Sequence, residues 1–446
     1  MCLTVSNLPR AAREVPRSRR TVAPVACNDA QSLVRRTIST PVVVVMCTAA
    51  VVALCWYLFV HPVEGSYGLF TNGVDTRVYR GGGRAVLHGT PLYDVPVYRY
   101  WWFTYPPFAA LLMTPLALVS TAHAVALVQV VNVICLFLFT ALILNAMGFA
   151  RDRRFWVTAV AAALGASMLE PVQTTIFNGQ VNLVLAVIVV GCLTLMPGAA
   201  RGVGVGLAAG IKLTPIFFVA YFAITRQFRA MATAMAVFVA TVVIGLVALR
   251  GQAWHYWTNS GNTSHIGVEA VPPNQSIHGQ LDRLEALGLL HAPGWLWVPV
   301  GLVVGVIGLY AAWRVQRAGA TMLAITLVGM TSCAISPFSW GHHWVWFVPL
   351  ILIAVVAASD RARRDRPATW VWWLAPAVIT TGTLAWRFRV AFNGEMVWRT
   401  GSFRVFWDPS AEGGSAVLAA IGSASYLILF AATIAVCLGW AVRTDP

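Results

Sequence analysis

Long apolar runs alternate with short polar segments along almost the whole chain. Residues 41–60 (PVVVVMCTAAVVALCWYLFV) form the first run, and about 20 apolar residues suffice for a membrane-spanning helix. Further apolar segments lie at about 106–119, 121–147, 154–169, 181–196, 203–224, 230–249, 295–313, 320–336, 344–358, 369–385 and 416–441. The pattern predicts an all-α polytopic membrane protein with about 12 transmembrane helices. Several of these segments are interrupted by Gly or Pro, and no internal repeat is visible. Three longer polar stretches, 61–105, 251–293 and 386–415, separate the runs, and a polar segment, 1–37, precedes them.

Composition agrees. Of 446 residues, 58% are hydrophobic and 11% charged, where a soluble domain carries roughly 25% charged residues. That excludes a large soluble domain and a disordered chain alike. The net charge of +15 sits mostly in short runs between apolar segments. There it reads as a topology signal and as lipid-headgroup contact, so no nucleic-acid partner is expected. The eight cysteines include no CxxC pair, and neither a disulfide framework nor a zinc site is expected.

Seven arginines within residues 1–37 hold that segment in the cytoplasm. The chain then divides into a basic cytoplasmic leader, 1–37, and a single membrane domain, 38–446. Both termini are expected on the cytoplasmic side of the cell membrane and the three long loops on the outer side. The charges of the second half fit this orientation. In the middle, simple alternation puts ARDRR (150–154) outside and the FNGQ turn (177–180) inside, against the charge rule. Re-entrant segments at 106–119 and 203–224 would reverse both.

Polar groups are costly within a bilayer, so they are the informative residues. Asp75 lies in the first outer loop, close to Arg77, Arg80 and Arg84 and the run Gly81–Gly83. Nearby arginines would keep its carboxylate ionised. Such a carboxylate either accepts a proton near bound phosphate or is a solvated loop acid. Asn178 and Gln180 either bond sugar hydroxyls or simply form the turn between two helices. Lys212, the only lysine in the chain, either snorkels to an interface or faces a polar cavity and a phosphate. Asn274 and Gln275 open the polar segment NQSIHGQLDR. His342 and His343 sit in SPFSWGHHW. Adjacent residues point about 100° apart on a helix, so the two histidines make a poor bidentate metal site, while one could bond a phosphate or hydroxyl. Arg387 and Arg389 stand on the outer side against the topology rule, which suggests binding of anionic headgroups. No nucleotide-binding signature is present, so any sugar donor would arrive by the membrane and not as a nucleotide sugar.

Taken in order, VDTRVYRGGGRAVLHGTPLYD, YPPFAALLMTPLAL, FNGQVNLVL, GIKLTPIFFVAYFAITRQFRA, NQSIHGQLDR and SPFSWGHHW resemble glycosyltransferase family 87, within the membrane-embedded GT-C glycosyltransferases. The resemblance runs from about residue 70 to 350. It implies a GT-C fold with helical extracytoplasmic loops and an inverting α-1,2-mannosyltransferase. The implied donor is polyprenyl-phosphate-mannose, and the acceptor a phosphatidyl-myo-inositol mannoside at the periplasmic face. It also implies Asp75 as the proton acceptor, with a functional histidine at His342 or His343. Arg77, Arg80, Asn178, Gln180, Lys212, Asn274, Gln275, Arg387 and Arg389 complete the candidate substrate contacts. No metal or cofactor is expected, because a lipid phosphate is already an acceptable leaving group. The alternatives are an enzyme branching lipomannan with the same linkage, a membrane acyltransferase using His342 or His343, and a multi-helix secondary transporter. A transporter usually shows internal repeats, which this chain lacks.

Overall fold

The computed structural model describes residues 35–60, 69–259, 266–267, 269–364, 370–392, 395–401 and 415–444. Nearly all of the expected leader lies outside these residues. The first helix, α1 (Thr40–Cys55), starts on Pro41 and runs on through a π turn, Trp56–Val60. Then follow α2 (Val74–His88), α3 (Pro107–Leu112), α4 (Thr114–Ala117), α5 (Thr121–Ala146) and α6 (Arg153–Ala166). Next come α7 (Glu170–Asn178), α8 (Asn182–Leu195), α9 (Arg201–Ile211), α10 (Phe218–Ile224) and α11 (Phe228–Asn259). The chain continues through α12 (Ile277–Ala286), α13 (Trp297–Arg317), α14 (Thr321–Ile335), α15 (Phe347–Ala362) and α16 (Val371–Thr383). An antiparallel hairpin, β1 (Trp386–Phe392) and β2 (Glu395–Gly401), precedes α17 (Ala416–Gly422) and α18 (Ser425–Thr444).

Among the described residues, four helices are long and apolar enough to cross a membrane: α1 with its π turn, α5, α11 and α13. The number rises to six if each of two bent pairs, α7–α8 and α17–α18, forms one span. The expectation of about 12 spans is therefore not met by helix length, and the sequence gives the reason. Proline and glycine cut the apolar runs. Segment 106–119 starts on Pro107 and breaks at Pro115 into helices of six and four residues. Segment 203–224 breaks at Lys212 and Pro215, with a 3₁₀ turn at Thr214–Phe217. The loops expected outside are not all helical either: α2 and α12 are helices, but β1 and β2 pair as an antiparallel hairpin.

The long helices turn apolar side chains outward. Val51 and Leu54 on α1, Leu127 and Ile134 on α5, Val243 and Val247 on α11, and Leu302 and Val306 on α13 are all exposed. Such apolar surface is stable against lipid and not against water. At the centre, α14 is buried on almost its whole circumference, from Ala324 through Ala334, as expected for a helix that is apolar all round. Local capping fixes the helix starts. Asp152 accepts from the Phe155 amide at 2.9 Å, and Ser276 from the Gly279 amide at 3.0 Å. Each such cap contributes typically about 1 kcal/mol.

Candidate active site

α2 is short and amphipathic, and three glycines allow neighbours to press onto it. A Cβ on Gly81 would sit 2.5 Å from the Val97 carbonyl oxygen, and one on Gly83 at 2.5 Å from that of Met113. Its first turn is tied to the bend between α7 and α8. The Gly73 amide donates to the Phe177 carbonyl at 2.8 Å, and Thr76 Oγ1 donates to the Gly179 carbonyl at 3.1 Å. Asn72 Nδ2 donates to Asn178 Oδ1 at 2.8 Å. The two helices meet at 115°, and Gly179 makes the corner at φ +69°. Only glycine adopts that region without cost, and a Cβ there would also strike Thr76 Oγ1.

The corner places Gln180 against Asp75. Gln180 Oε1 accepts from Tyr79 at 2.7 Å, and its Nε2 donates to the Tyr105 hydroxyl at 3.0 Å. Tyr79 and Tyr105 also share a 3.0 Å hydroxyl contact, with their rings edge to face. Gln180 and Tyr105 line a cavity of about 970 Å³ together with Asp75, Lys212, Glu170, His342 and His343, while Tyr79 is fully buried. Asp75 lines the cavity from the first turn of α2. Burial pushes its pKa up to about 7, against the pull of the Lys212 charge and a hydrogen bond with Gln180.

Lys212 caps α9 at the chain break, and it lines the same cavity. Nζ donates to Asn182 Oδ1 at 2.9 Å and meets His343 Nε2 at 2.8 Å. It also stands 5.7 Å from the centre of the Tyr105 ring. An ammonium has donors only, so His343 accepts at Nε2 and carries its proton on Nδ1. Asn182 Nδ2 and Thr175 Oγ1 both donate to the His342 carbonyl, at 2.8 and 3.2 Å, which fixes the histidine turn to α7 and α8. Among the described residues, His342 Nε2 and His343 Nδ1 are buried without a hydrogen-bond partner. Glu170 lines the cavity with its carboxylate taken up by Thr174 at 2.9 Å and Tyr426 at 2.6 Å. Among the described residues no three His, Cys, Asp or Glu side chains converge as metal ligands.

The structure thus joins Asp75, Asn178, Gln180, Lys212, His342 and His343 in one cavity. Four other expected site residues are elsewhere. Arg77 and Arg80 follow Asp75 by two and five positions on a helix, so they face away from it, onto a second cavity. The expectation that arginines keep Asp75 ionised is corrected: its cation is Lys212, and burial raises its proton affinity. Asn274 and Gln275 are fully buried and used internally. Asn274 holds the Ser339 amide and the Glu269 carbonyl, while Gln275 holds the Ser423 carbonyl and the Tyr426 amide. The backbones of Arg387 and Arg389 pair with Thr400 and Trp398 in the hairpin, and their side chains lie outside the described residues. Sequence reasoning missed Tyr79 and Tyr105. Tyr79 follows Asp75 at i+4, which puts both on one helix face, and that signal was available.

A chain of long apolar helices brings a carboxylate and a lysine to one cavity, and the chain belongs to glycosyltransferase family 87, whose model matches residues 103–337, more than half of its length. Its relatives narrow the class. It is 34% identical over 318 residues to the Mycobacterium tuberculosis (strain ATCC 25618 / H37Rv) protein named polyprenol-phosphate-mannose-dependent alpha-(1-2)-phosphatidylinositol mannoside mannosyltransferase, covering 67% of this chain and 72% of that one. The Mycolicibacterium smegmatis (strain ATCC 700084 / mc(2)155) protein of the same name is 32% identical, over 65% of this chain and 71% of that one. A second protein of that organism, named for a phosphatidylinositol pentamannoside acceptor, is 34% identical over 68% of this chain and 74% of its own length. No solved structure matches the chain.

Proposed function

We propose that the protein is an inverting mannosyltransferase of the GT-C type that moves mannose from polyprenyl-phosphate-mannose to a phosphatidyl-myo-inositol mannoside, forming an α-1,2 linkage. The relatives' names carry the donor, the linkage and the acceptor class. The observation that carries the chemistry is Asp75 facing the Lys212 charge across one cavity. Asp75 takes the proton of the acceptor hydroxyl as that oxygen attacks C1 of mannose. The bond from C1 to the phosphate oxygen breaks, and the polyprenyl phosphate leaves with the electron pair. A β-linked donor and an α-linked product require a single displacement with inversion. Lys212 balances the charge that grows on the phosphate, the kind of preorganised stabilisation that commonly dominates catalysis. His343 and Asn182 position the ammonium. Asn178 lines the same cavity, where its amide suits a sugar hydroxyl.

The protein is a multi-pass protein of the plasma membrane, a single domain from residue 38 onward behind a cytoplasmic leader. Both termini are cytoplasmic and the cavity opens to the periplasm, where a lipid-linked sugar is available and a nucleotide sugar is not. An assay with the purified protein tests the reading. Labelled polyprenyl-phosphate-mannose is offered with phosphatidylinositol mannosides of increasing mannose number and with lipomannan, beside a parallel reaction with a nucleotide sugar. Transfer from the lipid donor to a phosphatidylinositol mannoside alone is expected. Transfer only to lipomannan, or only from the nucleotide sugar, would contradict it.

A further inference from the structure

The second cavity, about 370 Å³, lies on the face of α2 turned away from Asp75. Arg77, Arg80 and Arg84 line it together with His88, Thr90 and Tyr98. The three arginines follow at helical spacings of three and four, so they form one stripe, and like charges so placed repel. Among the described residues none of the three makes an ion pair. Arg77 donates to the Asn72 carbonyl at 3.3 Å, and Arg80 to the Val119 carbonyl at 2.9 and 3.1 Å. Those contacts aim the guanidiniums without neutralising them. Asp94, a nearby acid in the sequence, is turned instead to His255 at 3.6 Å. Apolar groups adjoin the arginines: Val95, Pro91 and Pro96 line the cavity, Val119 meets Arg80 through its carbonyl, and Val95 and Val119 are exposed. Guanidinium groups match phosphate oxygens in fork geometry, and apolar groups beside them suit acyl chains.

We propose that this cavity binds the phosphate of an anionic phospholipid and so pins α2, the helix that carries Asp75, to the bilayer surface. The site is separate from the reaction cavity, because α2 itself stands between the two. A phosphate in this cavity is therefore not the one on the reacting sugar.

The test places the full-length protein in nanodiscs of phosphatidylcholine, with or without phosphatidylglycerol. Tm and the lipids retained in native mass spectrometry are read, neither of which depends on turnover or on the role of Asp75. Phosphatidylglycerol is expected to raise Tm by several degrees and to leave a retained adduct. Arg80→Gln/Arg84→Gln is expected to lose the adduct and at least half of the Tm shift. Arg84→Gln alone guards against misfolding, since Arg84 is exposed and its side chain makes no hydrogen bond among the described residues; it should lose a measurable part of the shift. Inorganic phosphate added to phosphatidylcholine discs should give no shift. Retention and Tm shift unchanged in these variants would overturn the proposal. An equal shift from inorganic phosphate would overturn the lipid as its source.

Discussion

A surface aspartate ionises near pH 4 and is a weak base at neutrality. Asp75 differs because burial penalises its charge more than Lys212 and Gln180 favour it, which holds its pKa at about 7. A base so tuned has higher proton affinity while remaining substantially ionised at the working pH. In the proposed mechanism the active form is the ionised one, so kcat/KM should rise with pH through a midpoint near 7. Lys212→Gln removes the charge that lowers the pKa, so that midpoint should move to more alkaline pH. The same variant should lose roughly 10²–10³-fold in kcat, as for removal of a preorganised electrostatic contact. An unshifted midpoint would show that the ammonium does not act on Asp75. Stability carries a second signature. The unfolded carboxyl titrates near 3.8 and the folded one near 7, so the folded state binds the extra proton between these values and stability falls as pH rises through that window. Asp75→Asn removes the buried charge, so its Tm should exceed that of the wild type at pH above about 7 and lose that advantage at acid pH.

Among the elements, the α7–α8 corner does most to position the site, because Gly73, Thr76, Asn178 and Gln180 all converge there. Gly179→Ala forces a left-handed backbone on alanine and drives its methyl into Thr76. Strain of that kind costs about 1–3 kcal/mol. The variant should lose several degrees in Tm and more activity than stability, since Gln180 and Asp75 move with the corner. A wild-type kcat/KM in Gly179→Ala would contradict that placement. The FNGQ turn was legible in the sequence, because Asn-Gly punctuates apolar runs. The long apolar runs were legible too. The partners of the charged residues were not. Asp75 and Lys212 lie in separate segments, and only tertiary packing joins them. Arg77 and Arg80 misled because nearness in sequence is not nearness on a helix face. Asn274 and Gln275 looked like ligand groups, yet their amides satisfy buried backbone, a role that polar residues beneath a loop must often fill.

Across the whole molecule, the long helices carry exposed apolar side chains while the polar chemistry gathers where helices break, at Gly179, at Lys212 and at the Gly341–His343 turn. Broken helices in a membrane are tolerated where their ends line a cavity. In the proposed function that arrangement serves two lipid substrates at one polar cavity. The proposed orientation puts residues 251–293 in the periplasm, and the His291 side chain is 93% exposed there. His291→Cys, in a background with the native cysteines replaced, should react with a membrane-impermeant thiol reagent in intact cells. Protection until lysis would invert the topology. The central claim is that Asp75 takes the proton of the acceptor hydroxyl, and one comparison tests it most directly. Mannose transfer from labelled polyprenyl-phosphate-mannose is measured for Asp75→Asn, Asp94→Asn and Asp282→Asn at equal amounts of folded protein. Asp75→Asn should lose about 10²–10⁴-fold in turnover while still binding donor, and the other two should remain within a few-fold of wild type. Near-normal turnover by Asp75→Asn, with Asp94→Asn or Asp282→Asn inactive, would contradict the account.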